Sequence, residues 1–304
     1  MDLKQLEYFA AIVEEGSITG AARRLHMAQP PLSHMLKGLE EELGTTLLGR
    51  GARRVTLTQS GEALYRRAKQ MLSLGQAARR ELEDLSLGVR GTLSIGTVSS
   101  SGAALLERRI LDYHEKYPQV SFEIHEGNTF ALIELLDAGE IEIGIVRTPF
   151  HAQQTHHIYL EREPMAAVMA PKWESALPQR QLELGDLRGL PLIIYRRFEE
   201  LILSSCTDLG FEPRLLCKND DARTSLLWAN AGLGVALVPQ SAVNLVRGPQ
   251  LVCRPLSDPQ LYTQIAAIWR RDRYLSSIAR NFLAVFAGPG DAEGGISHHA
   301  RIEE

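Results

Sequence analysis

Residues 17–36, SITGAARRLHMAQPPLSHML, decide how the rest of this 304-residue chain is read. The stretch spells two short helices joined by a tight turn. Ser17 is placed to cap the first, its hydroxyl accepting from a first-turn N–H that has no partner inside the helix. Ile18, Ala21, Ala22 and Leu25 recur at helical spacing as a narrow apolar face, and Ala22 is small enough for a close helix crossing. His26 falls where such a motif needs positive φ, a conformation in which His is enriched among non-glycine residues. Pro30 and Pro31 suit the first turn of the second helix, where a missing N–H costs nothing. Leu32, Met35, Leu36 and Leu39 give that helix its buried side. Gln29, Ser33, His34 and Lys37 fall largely on the other, where polar side chains can meet base edges and phosphates in a DNA groove. The plainer alternative is an ordinary helical hairpin, since A-x-x-L spacings are common.

The next segment of the chain favours DNA. In residues 45–60, TTLLGRGARRVTLTQS, Gly49 and Gly51 flank Arg50, then come Arg53 and Arg54, then alternating Val55 and Leu57. That is a short β-hairpin with a basic tip, a wing beside the second helix. The candidate DNA-binding residues are therefore Arg23, Gln29, Pro30, Ser33, His34, Lys37, Arg50, Arg53 and Arg54.

The run from MDLKQLEYFAAIVEEGSITGAARRLHMAQPPLSHMLKGLEEELGTTLLGR through RR to LTQSG resembles the amino-terminal domain of LysR-type transcriptional regulators. The QPPLS block, the LL-x-R-x-x-R spacing and LT-x-x-G carry the resemblance, which extends more diffusely to about Phe286. Leu48 stands where the family usually has Phe, a change of packing only, and Ser60 where Ala is commoner. The resemblance implies a multi-domain α+β fold: a winged helix-turn-helix, a long linker helix, and a two-lobed α/β effector domain like a periplasmic binding protein.

Composition fits this reading. A formal net charge of −4 is unusual for a nucleic-acid binder, but the basic residues are segregated around the motif, and Glu40, Glu41 and Glu42 lie beyond the groove end of the second helix. Three widely spaced cysteines suggest free thiols in a reducing compartment. The start, MDLKQLEYF, is not expected to be a signal peptide, and no apolar run approaches a membrane span. A cytoplasmic protein without a membrane partner is expected.

In chain order, Leu3–Glu15 is the expected first helix, with Leu3, Leu6, Phe9, Ala10 and Val13 packed on the motif and Tyr8 at its shoulder. Winged domain 1–58 is followed by linker helix 59–88, which Thr58 can cap. Within it Leu64, Met71, Ala78 and Leu85 recur every seven residues, with Ala68, Gly75 and Leu82 between them: a narrow seam. One amphipathic helix packed on its own domain is the alternative; self-association is favoured by the seam's narrowness and the helix's charge. The dimerisation set is Leu64, Met71, Ala78, Leu82 and Leu85. The resemblance implies a homodimer assembling to a homotetramer, double-stranded DNA as partner, and RNA polymerase as an expected one.

GVRGT (88–92) reads as a hinge into effector domain 89–287, where strands and helices alternate as in a largely parallel sheet. Lobe I is assigned to 92–162 and 267–287, lobe II to 163–266, and residues 288–304 to a Gly-rich, polar, disordered tail. His298 and His299 there are a weak metal signal, and no metal or other cofactor is expected. His156 and His157 are assigned to a polar loop.

Ligands of such sheets bind beyond the carboxyl ends of strands. Ser99, Ser100 and Ser101 follow the first strand before a helix, a natural anion site, although any one of them could simply be a cap. Asn128 and Thr129 follow the second strand, Arg147 ends the third, and Tyr195, Arg196 and Arg197 end a strand of lobe II. The expected effector set is Ser99, Ser100, Ser101, Asn128, Thr129, Arg147, Tyr195 and Arg196, holding a small organic acid with Arg147 as the permanent cation. A surface ion pair is the bland reading of each arginine. Resemblance to family members that sense aromatic-pathway acids carries over to Ser99, Ser100, Thr129 and Arg147.

Cys206 and Cys217 could form a thiol switch, but without a CxxC pattern inert buried thiols are the expectation. No Ser/His/acid order, metal cluster or phosphate loop occurs, so no catalytic residue is named. The expected function is a ligand-responsive DNA-binding regulator in which effector binding alters DNA bending. Alternatives are a thiol-redox regulator, a two-lobed solute binder, or an enzyme.

Overall fold

The computed structural model describes residues 1–49, 55–87, 90–101, 109–246 and 251–288. It forms two compact units, the first comprising the described residues up to 87 together with Asp137–Glu140, the second the rest.

In the N-terminal unit, α1 (Leu3–Glu15) opens on a reciprocal cap in which Asp2 and Gln5 each accept the other's backbone N–H at 2.8 Å. It ends at Gly16, φ 63°. Leu6, Phe9 and Ala10 are buried, but Leu3 is 53% exposed, contrary to expectation. It lies in the first turn, on the side that faces Gly75 of the linker helix. The motif forms α2 (Ile18–Arg24) and α3 (Gln29–Leu43), and the turn between them puts His26 at φ 51°. Ala21, Ala22, Leu32, Leu36 and Leu39 join Phe9 and Ile12 in one core. The wing strands β1 (Leu48–Gly49) and β2 (Thr56–Leu57) pair antiparallel, Leu48 opposite Leu57. Leu48 is buried in the same core, so its departure from the family's Phe is a matter of packing. Arg50, Arg53 and Arg54 lie outside the described residues.

Helix α4 (Gln59–Leu87) begins where Thr58 Oγ1 accepts from the Gly61 N–H at 3.0 Å. A Cβ at Gly61 would fall 2.0 Å from the Leu47 carbonyl oxygen, which is why LT-x-x-G ends in glycine. The expected seam needs correction. Leu64 packs into the winged-helix core and Ala68 has no exposed surface, because α1 lies against this part of α4. Further along, Met71 (42% exposed), Leu74 (68%), Ala78 and Leu82 lie open. The exposed apolar strip thus starts one heptad later and includes Leu74. The Leu85 side chain lies outside the described residues, as does the 289–304 tail.

In the C-terminal unit the strand order is β4-β3-β5-β11-β6-β9-β7-β8, with β10 also on β6. Lobe I contains β3 (Gly91–Thr97), β4 (Val120–Glu126) and β5 (Ile143–Arg147), mutually parallel where paired. Lobe II contains β7 (Pro191–Tyr195), β8 (Arg214–Asn219) and β9 (Val235–Pro239), also parallel. The joining strand is β6 (Thr155–Met169). Its first part pairs with β11 (Tyr262–Arg270), its last part with β9 and with β10 (Val252–Pro255), all antiparallel. One expectation is corrected by this long strand. His156 and His157 are not in a loop; they belong to β6 and sit opposite Trp269 and Ile268 of β11. Strand β11 begins at Tyr262, opposite Pro164 of β6, and so runs across the assigned lobe boundary.

Helices cover both faces of lobe I. Tyr113 on α5 (Arg109–Lys116) packs with Phe282 and Phe286 on the C-terminal helix Ser277–Ala287 against Leu93, Ile95 and Ile143. On the other face, Leu132 and Leu136 of α6 (Thr129–Ala138) meet Val146 and Ile268. Among the described residues, no helix is long and apolar enough to cross a membrane.

Candidate DNA-reading face and effector pocket

The motif's local chemistry builds a protruding helix start. Ser17 Oγ accepts from the Gly20 N–H at 3.0 Å, a cap worth about 1 kcal/mol. With α3 pinned by its apolar side, Gln29, Pro30, His34 and Lys37 are exposed and Ser33 is half-buried. Lys37 reaches Glu41 at 3.6 Å, a loose pair that leaves the ammonium in solvent. Arg23 is exposed at the end of α2, whereas Arg24 bends back to Glu14 at 2.6 Å.

Sequence reasoning missed Glu14. Its carboxylate accepts from Arg24 of α2 and, at 2.8 Å, from Lys69 of α4, with the Tyr65 hydroxyl at 3.4 Å. Burial acts to raise this carboxyl, but the Lys69 and Arg24 hydrogen bonds outweigh it and hold the group below its ordinary range. One acid thus ties the motif to the linker helix. Charges at separations of 10 and 55 residues give no periodic signal by which to find it.

In the C-terminal unit a cavity of about 420 Å³ opens between the lobes. Asn128, Thr129, Phe130, Ile133, Pro149, Phe150 and His151 line it from lobe I, and Tyr195, Arg196, Arg197 and Asp220 from lobe II. Asn128 is also the cap of α6, its Oδ1 accepting from Ala131 N–H at 2.9 Å. Of the expected effector residues, Asn128, Thr129, Tyr195 and Arg196 therefore line the cavity.

Ser99, Ser100, Ser101 and Arg147 are not among the residues that line it. Arg147 is fully buried and turned inward. Its Nη1 is 2.5 Å from Glu163 Oε1, and Nη2 donates to the Ser100 carbonyl and Ser241 Oγ, each at 3.1 Å. Burial drives its pKa down despite the Glu163 partner. A guanidinium carried this deep must have an internal counter-ion, so it is already neutralised. Ser99, Ser100 and Ser101 are likewise buried, and the Ser99 hydroxyl donates to that of Tyr195 at 3.5 Å.

Arg196 is exposed and paired with Asp220 at 3.1 Å. Arg197, named among the strand-end arginines but outside the expected set, also lines the cavity. Its Nη1 donates to Thr129 Oγ1, and its Nη2 to the carbonyls of Arg147 and, at 3.0 Å, Pro149. No acidic side chain pairs with it among the described residues, and its Nε is buried without a partner. Burial first, and then the neighbouring Arg147 charge, push its pKa down to about 10, which leaves it cationic at neutral pH. Two adjacent arginines in sequence carry no mark of which one turns inward.

The free thiols are Cys206, Cys217 and Cys253. Cys206 is buried, which pushes its pKa up to about 11, away from the thiolate that redox chemistry needs. Among the described residues no cluster could hold a metal ion.

The sequence model of the bacterial regulatory helix-turn-helix protein, lysR family, matches residues 3–62, and that of the LysR substrate binding domain matches residues 86–288. The chain belongs to the LysR family. This LysR protein is 32% identical over 294 residues to the HTH-type transcriptional regulator BsdA of Bacillus subtilis, spanning 94% of this chain and all of that one. It is 32% identical to the regulator BenM of Acinetobacter baylyi over 302 residues, 96% of this chain and 99% of BenM. A full-length OxyR variant of Pseudomonas aeruginosa superposes with a TM-score of 0.70 at 27% identity, covering 94% of this chain and 93% of OxyR. CbnR in complex with its target DNA reaches a TM-score of 0.72 at 24% identity, over 94% and 98% of the two chains, a likeness of fold. The LysR protein is thus a DNA-binding transcriptional regulator with an effector-binding domain, and not an enzyme.

Proposed function

We propose that this LysR regulator is switched by a small organic anion held between its effector lobes. The observation that supports the reading is Arg197, a largely buried cation on the wall of a cavity with no acid of its own. Thr129 shares the site, and Arg147 supports it from behind through Ser100 and Ser241. A ligand that draws the lobes together must prefer one arrangement of them, since equal affinity shifts no population. The change would alter the spacing of the DNA-reading pairs and hence DNA bending. In this reading Gln29 and Ser33 face base edges, and Arg50, Arg53 and Arg54 face the backbone or minor groove. The exposed strip from Met71 to Leu82 pairs linker helices, and dimers join into a tetramer. The protein works in the cytoplasm with RNA polymerase, and no cofactor beyond the effector is required.

The test is footprinting of full-length protein on a selected DNA site with a panel of small organic acids. Wild type should change its footprint with one class of acid. Arg197→Gln should bind the same DNA and lose that response. A response that survives the substitution unchanged would overturn the reading.

A further inference from the structure

We infer that the occupant of the inter-lobe cavity carries one negative charge on an apolar body: a monocarboxylate rather than a dicarboxylate. The inference rests on the organic-anion reading and adds the ligand's charge and shape.

The charge follows from which ionic groups are already matched. Arg147 is held by Glu163 at 2.5 Å. Glu163 is itself held in place, because its Oε2 accepts from the Ser241 N–H at 2.6 Å and its Oε1 from the Ser241 hydroxyl at 2.8 Å. It cannot turn to a second arginine without abandoning those bonds. Arg196 is matched by Asp220 at 3.1 Å. Among the described residues of the wall and the layer behind it, one surplus cation remains, Arg197. A single carboxylate neutralises it; a second would meet no unmatched cation, because the charge of Arg196 is already countered by Asp220.

The shape follows from the rest of the wall. Nη1 and Nη2 of Arg197 are tied to Thr129 and to the Arg147 and Pro149 carbonyls, so the guanidinium is fixed in place. Thr129 Oγ1 accepts from Arg197, which leaves its own hydroxyl proton to donate, and a carboxylate can bridge the two. Away from that corner the wall is Phe130, Ile133, Pro149 and Phe150. Phe130 is 73% exposed, a large apolar surface that a hydrocarbon body would cover. Apart from the paired Arg196 and Asp220, the other polar groups of the wall are Asn128, Tyr195 and His151, none of them a permanent cation.

Full-length protein titrated calorimetrically with four probes tests this. Benzoate and cyclohexanecarboxylate are apolar monoanions, benzamide is neutral, and terephthalate carries a second carboxylate on the same ring. A monoanion should bind at least about tenfold more tightly than benzamide or terephthalate, as expected when a site's polar group is left unmatched. Arg197→Gln should erase the preference for benzoate over benzamide, and Arg197→Lys should restore part of it. If terephthalate equals benzoate in an Arg197-dependent way, the single charge is refuted and the anion reading survives. If benzoate and benzamide bind alike, or no probe binds wild type at millimolar concentration, both fall.

Discussion

Oε1 of Glu163 lies 2.5 Å from Nη1 of Arg147, and that arginine has no exposed surface. The pair joins the end of β5 to the middle of β6, and through Ser241 it reaches lobe II. A residue that in sequence looks like the effector's counter-ion is therefore an internal brace, and Arg197, next to it in space, is the arginine that lines the cavity without an acidic partner among the described residues.

Breaking the brace from one side should be costly. Glu163→Gln leaves Arg147 buried without its counter-charge and should lower stability by roughly 3 kcal/mol in urea unfolding. Adding Arg147→Met to that variant should recover part of the loss, since the unmatched charge is then gone. A Glu163→Gln protein as stable as wild type would mean the pair is dispensable.

The linker strip should control assembly. Met71→Glu with Leu74→Glu places charge on the exposed apolar face and should give smaller particles by light scattering, together with weaker DNA binding. Ala68→Glu should behave differently. Ala68 is buried in its own unit, so that change should lower the melting temperature first, as overpacking and an unpaired buried charge both do.

DNA contacts should separate into those that specify and those that position. Gln29→Ala should relax sequence preference in a binding-site selection. Arg53→Ala should weaken binding on every sequence and reduce the salt slope by about one unit. A Gln29→Ala protein with unchanged affinity and preference would remove α3 from the reading role.

The thiol alternative makes an opposite prediction. Because burial and nearby Asp258 raise Cys206 to about 11, its thiol is protonated at neutral pH and becomes a thiolate only as pH approaches that value. Alkylation of native protein, followed by mass spectrometry, should spare Cys206 at pH 7 and label it faster as pH rises. Mild peroxide should leave DNA binding unchanged; loss of binding that Cys206→Ser prevents would favour the redox reading.

Much was legible because it depends on neighbours in sequence. Ser17 as a cap, His26 at positive φ, Pro30 and Pro31 in a first turn and Thr58 at the head of α4 are all decided within a few residues. The βαβ alternation of the effector unit is equally local, since apolar runs bounded by turns set both element type and order. What sequence could not decide was direction. Arg147, Arg196 and Arg197 all end strands, yet one is neutralised inside, one is paired at the surface and one faces the cavity. Leu64 and Met71 share a heptad position, yet only the first is covered by the winged-helix core. His156 and His157 read as a loop until β11, more than a hundred residues on, supplies the partner that makes them strand. Each of these outcomes depends on which distant group arrives opposite a side chain, and burial of a charge or pairing of a strand has no energy until that group is there.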